Sequence, residues 1–184
     1  MALISQADVE ARLGRSLTAE EASSFPTINN SLQSYVEKII GSSVESVSAT
    51  TRYYDGGVQH LRIDPCTSVT TIKYVDDDSA AEYIFDSSDF TVEPINRTLK
   101  TMLRNRDGKF NTGINNVAVT AKFSIYDDTS VLNIVKDALI SAIVSEVANN
   151  NNVKRESIEG YTIEYANTET VDAISKITYL FPEV

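Results

Sequence analysis

The pattern of hydrophobic and polar positions has a helical period at the beginning of the chain. A serine N-cap and a glycine C-cap bound a short predicted helix over residues 6–13, and apolar residues recur at helical spacing from Ile28 to Ile40. Pro26 is predicted to break or restart the helix before this stretch, because proline fits best at a first helical position. Residues 1–43 are therefore expected to form helices.

The period changes over residues 44–126, where alternating and β-branched stretches are typical of strands. Two such stretches flank Asp55-Gly56-Gly57 and predict a β-hairpin. Turn-forming clusters rich in Asp, Ser and Gly separate the later stretches. The further predicted strands are 70–75, 82–85, 98–103 and 117–126.

A long helix is predicted over residues 130–148, capped by Asp128 or Thr129. Apolar residues form a core stripe on one side, and a second apolar patch lies on nearly the opposite side. The members of this patch are Ile140, Val144 and Val147. Two interpretations remain open: the helix is enclosed within its own domain, or the patch is a subunit interface, since an exposed apolar patch usually has a partner.

The last part of the chain is expected to contain a loop at 154–160, a short strand at 161–165 and a helix at 169–180. The order of helices, strands and helices predicts an α+β fold, in which a small helical bundle carries a β-rich insertion. The predicted divisions are 1–43 for the N-terminal helices, 44–126 for the insertion, and 127–184 for the long helix, loop and C-terminal helix that complete the bundle.

Charge and composition narrow the function. The 184 residues carry 16 basic and 26 acidic side chains, a formal charge of −10, which disfavours tight binding to DNA or RNA. The last third, residues 127–184, is the most acidic, with 4 basic and 10 acidic groups. No apolar stretch approaches the length of a membrane span, and no secretion signal is expected.

Catalysis is not predicted, because the chain has one His and one Cys. His60 lies in an alternating stretch and is interpreted as an outward strand residue, whereas Cys66 is interpreted as a small buried hydrophobe. A zinc site needs more Cys and His ligands than the chain has, and no phosphate-binding glycine motif occurs. We therefore expect neither an enzyme nor a bound cofactor or metal.

Three fragments resemble the head–tail connector (adaptor) proteins of tailed bacteriophages. They lie in the first forty and the last fifty residues, in the order and spacing that the family has around its long helix. The fragments are Leu3-Ile4-Ser5 to Leu17-Thr18, Val36-Glu37-Lys38-Ile39-Ile40-Gly41, and Arg155-Glu156-Ser157-Ile158-Glu159-Gly160-Tyr161-Thr162-Ile163-Glu164-Tyr165. The third matches the family's segment only approximately, and residues 44–126 are longer than the compact members carry.

The resemblance implies a helical bundle that assembles as a homo-oligomeric ring, usually of twelve copies, beneath the portal protein at the capsid vertex. Such a protein is located in the virion, at the head–tail junction, after assembly in the host cytoplasm. DNA passes through the ring without specific binding, and a neck or tail protein binds the lower face. The C-terminal segment is expected to bind the portal through Ile174, Ile177, Tyr179, Leu180 and Phe181.

Basic residues concentrate within thirteen positions of the β-rich part, with Asp107 as the single acid among them. These residues are Arg97, Lys100, Arg104, Arg106 and Lys109. Because Asp107-Gly108-Lys109 predicts a hairpin tip, the flanking strands should display the charges together. They are either a solvated edge hairpin that discourages aggregation or a docking surface for an acidic neighbour, namely an adjacent subunit or the next neck protein.

Two other functions remain as alternatives. Another phage neck or tail-completion protein, such as a stopper, is the closer one, although the predicted C-terminal helices argue against a β-barrel. A ligand-binding β module is suggested by Asp76-Asp77-Asp78 together with Asp86 and Asp89. A calcium loop needs alternating oxygen ligands, a glycine at its turn and a terminal Glu, and the stretch 76–81 has no such glycine.

Overall fold

The computed structural model describes residues 3–75 and 83–149, the strands at 155–158 and 161–164, and Ser175. The chain divides into two compact units. The helical unit comprises the described residues within Met1–Ile40 and Asn133–Glu183, and the β unit comprises those within Gly41–Leu132. The mixed α+β class is confirmed, but the strands make up more of the fold than a helical bundle with an insertion implies.

Helix α1, Gln6–Leu13, begins and ends where the sequence predicts. Ser5 forms a capping box: its Oγ accepts from the Asp8 N–H at 3.3 Å, and its N–H donates to the Asp8 carboxylate at 2.8 Å. Gly14 ends the helix in the left-handed region with φ +69°, and its N–H donates to the Glu10 carbonyl. Both ends are therefore fixed by local hydrogen bonds.

Helix α2, Ala19–Ile40, runs without interruption through Pro26, so the predicted break is wrong. The fixed φ of proline is compatible with a helix, and its cost of about 3 kcal/mol comes from one lost hydrogen bond and a ring clash. The buried face that continues on both sides of it includes Phe25, Val36 and Ile40. Burying each such side chain contributes about 1.5–3 kcal/mol to stability. The sum of these contributions outweighs the cost of the proline.

Helix α3, Thr129–Asn149, matches the predicted long helix within one residue at each end. Asp128 is its N-cap, because its side chain accepts from the Val131 N–H at 3.2 Å and its carbonyl accepts from the Leu132 N–H at 2.8 Å. Within the helical unit, the Arg12 guanidinium of α1 lies 3.4 Å from the Asp137 carboxylate of α3.

An ion pair fixes the chain between α1 and α2. Both guanidinium nitrogens of Arg15 donate to the Glu21 carboxylate, at 2.8 and 2.7 Å, and the Thr18 N–H adds a third bond at 2.8 Å. The Glu21 side chain is only 3 % exposed. These hydrogen bonds, the one from Arg15 foremost, lower the pKa of Glu21 from 4.5 to about 2.

Replacing Glu21 by glutamine should therefore cost stability in a pH-dependent way. Since the pKa is lowered on folding, the carboxylate contributes its full stability above its ordinary pKa of 4.5 and loses it as the pH falls towards about 2. Urea unfolding of wild type and Glu21→Gln across this window should show their difference shrinking as the pH falls. A difference that stays constant across the window would contradict the assignment.

The β unit contains two three-stranded antiparallel sheets in its described residues. Their orders are β1-β6-β3 and β2-β5-β4. The strands are β1 Thr50–Tyr54, β2 His60–Cys66, β3 Ser68–Tyr74, β4 Phe90–Glu93, β5 Lys100–Asn105 and β6 Val117–Lys122. Inward side chains of these strands, among them Ile72, Leu103 and Val119, form one hydrophobic core with Phe110 and Phe123, which lie after the ends of β5 and β6.

The predicted hairpin around Asp55-Gly56-Gly57 is wrong. Strand β1 pairs with β6 and strand β2 pairs with β5, so the segment between them passes from one sheet to the other. The Gly56 N–H donates to the Gly113 carbonyl at 3.0 Å and to the Asn116 side chain at 2.9 Å. Glycine is needed here because the backbone lies directly against the loop that precedes β6.

Two more differences concern short strands. Strand β4 is not among the predicted strands. Strand β7, Arg155–Ile158, lies where a loop is predicted, and it pairs antiparallel with β8, Tyr161–Glu164. The predicted strand at 82–85 lies partly outside the described residues. Within its described part, Ile84 forms an isolated antiparallel bridge with Lys73 of β3. The predicted helix at 169–180 lies outside the described residues except for Ser175, which is helical.

Candidate docking surfaces

The sheet β2-β5-β4 has one apolar face and one charged face. In the register of the sheet, Leu103 of β5 lies between Leu61 of β2 and Val92 of β4, and these residues belong to or pack against the core. Because side chains alternate along a strand, the neighbouring positions point the other way. That second face carries His60 opposite Arg104, Arg62 opposite Met102, and Lys100 two residues before Met102. From β4 it also carries Thr91 opposite Arg104 and the acidic Glu93 opposite Met102.

Arg106 belongs to the same surface, although it lies just beyond the end of β5. Its Nε donates to Thr91 Oγ1 at 3.0 Å, and Thr91 is the β4 residue opposite Arg104. Lys100 Nζ donates to two backbone carbonyls, those of Pro94 at 2.8 Å and Ile95 at 3.0 Å. We call this surface the basic face; its members are His60, Arg62, Lys100, Arg104 and Arg106.

None of the five predicted docking residues forms an ion pair with a carboxylate in the described part of the chain. Arg97, Arg104, Arg106 and Lys109 are exposed, and Lys100 is half-buried. Elsewhere, basic side chains do pair: Arg15 with Glu21, Arg52 with Asp64, and Lys122 with Asp127, all within 2.7 Å. The predicted cluster therefore has its positive charge available to a partner.

The predicted hairpin tip is wrong, and so is the interpretation of an edge hairpin. Strand β5 is the central strand of its sheet, and the next strand, β6, belongs to the other sheet. After Asp107 the chain leads to Phe110, whose N–H donates to the Val58 carbonyl at 2.8 Å. With strands on both sides, β5 has no free edge for its charges to protect.

The sequence does not identify Arg62 as a member of the basic face, and it indicates no role for His60 beyond that of an outward strand residue. Both lie in β2, and their side chains alternate with the buried Leu61 and Ile63. This alternation was visible in the sequence. What the sequence could not provide is the register that places β2 beside β5, because the two strands are far apart in the chain.

An acidic cluster lies around Tyr83, which is 54 % exposed. The charges of Asp89, Asp86 and Asp107, Asp89 foremost, raise the pKa of the Tyr83 hydroxyl. The Asp89 carboxylate accepts from the Asp86 N–H at 2.8 Å and from the Ser88 hydroxyl at 3.3 Å, so it holds a tight turn. Within the described residues, none of the three carboxylates pairs with a basic side chain.

The predicted patch on α3 is unevenly exposed. Ile140 and Val144 are half-buried, whereas Val147 has no exposed surface. Only the first two therefore have apolar surface left to offer to another subunit, and the interface stays a prediction. The residues predicted to bind the portal, which are Ile174, Ile177, Tyr179, Leu180 and Phe181, lie outside the described residues.

The one Cys and the one His, the residue types most often used in catalysis, differ in their exposure. Cys66 is fully buried, which raises the pKa of its thiol to about 12, and His60 is exposed on the basic face. In the described ranges, no group of three or more His, Cys, Asp or Glu side chains is placed to hold a metal ion; Asp76-Asp77-Asp78 lie outside them. No described helix is long and apolar enough to cross a membrane.

No protein-family model matches the chain, and no curated protein matches it either. Among solved structures, the chain is similar to one from the neck of an empty gene transfer agent (GTA) particle, computed with C6 symmetry. The TM-score is 0.55, the identity is 12 %, and the match covers 95 % of this chain and 88 % of that chain. The likeness is one of fold. It extends over both units.

Proposed function

We propose that the protein is a structural component of the neck of a tailed phage or phage-like particle. The observation that carries this proposal is the fold match to a neck chain over 95 % of the sequence. The N-terminal and C-terminal fragments that resemble head–tail connector proteins support the same role independently, because that resemblance lies in the sequence and does not depend on the fold. The chain then has no catalytic function and needs no cofactor.

In the more specific form of the proposal, the protein is the adaptor ring that joins the portal to the tail or neck around the DNA channel. The similar neck was computed with C6 symmetry, and a ring of twelve copies contains a six-fold axis, so the two are compatible. The charge of −10 per copy would repel phosphates and keep DNA mobile in the channel. A docking role of Arg97, Lys100, Arg104, Arg106 and Lys109 is part of this proposal.

Electron microscopy of the purified chain, with and without the portal protein of the same particle, tests the proposal. A ring on the portal would support the adaptor role. A chain that binds only beneath an existing connector ring would instead support the stopper-like alternative, which the large β unit keeps open. A chain that binds neither portal nor connector, and that is missing from purified particles by mass spectrometry, would contradict a role in the neck.

Removing residues 168–184 should abolish binding to the portal and leave the rest of the chain folded. The segment ends in Tyr179-Leu180-Phe181, an apolar group suited to a groove in a partner. Co-purification with the portal measures binding, and circular dichroism measures folding. As a matched control, Lys176→Ala in the full chain should keep binding, because it removes no apolar residue. Portal binding retained by the folded truncation would assign the contact to another segment.

A further inference from the structure

A loop in the β unit holds an isoleucine out into the solvent. Ile114 is 84 % exposed, a larger fraction than for any other large hydrophobic residue in the described part of the chain. On one side of it, the Gly113 carbonyl accepts from the Gly56 N–H at 3.0 Å. On the other side, the Asn115 N–H donates to the Asp55 carboxylate at 2.7 Å. We call residues 111–116 the Ile114 loop. Because both neighbours are held, ordering this loop against a partner costs little entropy.

An open cavity of about 490 Å³ lies where β4 ends and β5 begins; we call it the β4–β5 cavity. This volume is within the range of ligand pockets, roughly 300–1,000 Å³. Lys100 fixes the turn beside it, since its ammonium donates to the carbonyls of Pro94 and Ile95. The lining combines apolar side chains with one acid and one base, and it includes Pro94, Ile95, Met102, Glu93 and Arg97. The cavity can therefore take an apolar side chain that has polar neighbours.

The Ile114 loop and the β4–β5 cavity lie at opposite ends of strand β5. The cavity is at the end where β5 begins. At the other end, the Asn105 N–H donates to the Gln59 carbonyl at 3.0 Å, and the Gly57 N–H donates to the Phe110 carbonyl at 2.9 Å, directly before the loop. A strand of six residues spans about 17–20 Å. Ile114 therefore cannot fill the cavity of its own copy.

We propose that Ile114 of one copy of this protein inserts into the β4–β5 cavity of a second copy. The contact is heterologous, because two different surfaces of the same chain meet, and repeating it head to tail generates a ring when the rotation closes. The inference rests on the proposed function, since it supplies one interface of the neck ring. A rigid apolar side chain that fills a cavity is the kind of contact from which most of the binding energy of an interface comes.

The charges beside the two surfaces favour a second copy as the occupant. Asp55 lies next to Ile114 through its bond to the Asn115 N–H, and Arg97 lines the cavity. Both side chains are exposed, and within the described residues neither forms an ion pair. An Asp55–Arg97 pair between copies would steer them together and set their register. Glu93, the acid of the cavity, would accept from the exposed side-chain amide of Asn115.

Replacing Ile114 or Ile95 by aspartate in the full-length chain tests the contact from both sides. Either change puts a carboxylate into an apolar contact without a partner. Each variant should weaken self-association by about tenfold or more, measured by sedimentation equilibrium. Ile84→Asp is the matched control: Ile84 is also an exposed isoleucine of the β unit, at 57 %, but it belongs to neither surface, so association should stay as in wild type. All three variants should keep the circular dichroism spectrum of wild type.

A mixed disulfide gives a second, direct measurement. The single natural cysteine, Cys66, is fully buried, so cysteines introduced on the surface are the accessible thiols. Ile114→Cys in one chain and Ile95→Cys in another, isotope-labelled chain should join under mild oxidation, with or without the portal protein present. Either variant alone should give no disulfide-linked dimer, because the contact pairs different residues. Mass spectrometry identifies the linked peptides.

Several results would overturn the proposal. They are unchanged association in both aspartate variants, and absence of the mixed disulfide in solution and on the portal. If Ile114→Asp loses binding to the next neck protein while its self-association stays as in wild type, the loop serves that partner and the contact between copies is wrong. If both aspartate variants still form rings on the portal, this contact fails while the role in the neck stands.

Discussion

Replacing Gly56 by alanine should destabilise the β unit by about 3 kcal/mol. A Cβ at this position would overlap the backbone carbonyl oxygen of Asn111 and would lie 2.9 Å from the Asn116 side-chain oxygen. Neither atom can move freely, because the Asn116 side chain accepts from the Gly56 N–H and donates to the Asn111 carbonyl. Since the chain contains no Trp, urea unfolding followed by circular dichroism is the suitable measurement.

Gly14→Ala is the control that separates steric overlap from loss of backbone freedom. Gly14 has φ +69°, but a Cβ there meets no atom within 4 Å. Its replacement should therefore cost only the strain of a left-handed residue, about 1–2 kcal/mol. Equal losses of stability in the two variants would mean that Gly56 is required only for its conformational freedom, and the close contact with the loop would then not matter.

Gly56 also shows which part of this fold the sequence could not predict. Asp-Gly-Gly between two β-rich stretches has the chemistry of a tight hairpin turn, and that chemistry is also suited to a segment pressed against another backbone. Only the pairing of β1 with β6 and of β2 with β5 distinguishes the two. Those partners are remote in sequence, so no local pattern reports them.

Features that depend on neighbouring residues were predictable. The capping box at Ser5, the glycine end of α1 and the Asp128 cap of α3 each rest on hydrogen bonds within four residues of the helix end. The effect of Pro26 was not predictable in the same way. A local rule gives the cost of the proline, but the burial of Phe25 and Val36 on either side of it outweighs that cost, and this burial depends on tertiary packing.

The candidate docking surface was likewise predictable only in part, namely where it depends on neighbouring residues. The thirteen-residue concentration of basic side chains is visible in the sequence, whereas the surface they share with Arg62 and His60 depends on the register of β2 against β5. In the sequence, Asp86 and Asp89 suggest only a ligand-binding β module, together with Asp76-Asp77-Asp78. Their relation to Tyr83 depends on the turn that Asp89 holds.

Ile140→Glu should prevent the chain from forming rings on the portal while it remains folded. The patch lies on nearly the opposite side of helix α3 from its core stripe, and an apolar patch that one chain leaves partly exposed is typical of a subunit interface. Ile140 and Val144 are half-buried in a single copy, so part of their surface is left for another subunit. A carboxylate buried in an apolar interface without a partner costs several kcal/mol, enough to prevent assembly.

Ile134→Glu provides the matched control, because it makes the same change on the same helix. Ile134 is 45 % exposed and lies about a third of a turn from Ile140 around the helix axis, away from the patch. This variant should form rings as wild type does. Electron microscopy on the portal measures assembly, and circular dichroism measures folding. If Ile140→Glu unfolds while Ile134→Glu does not, the patch belongs to the core of one chain, as Val147 already does, and the helix offers no interface.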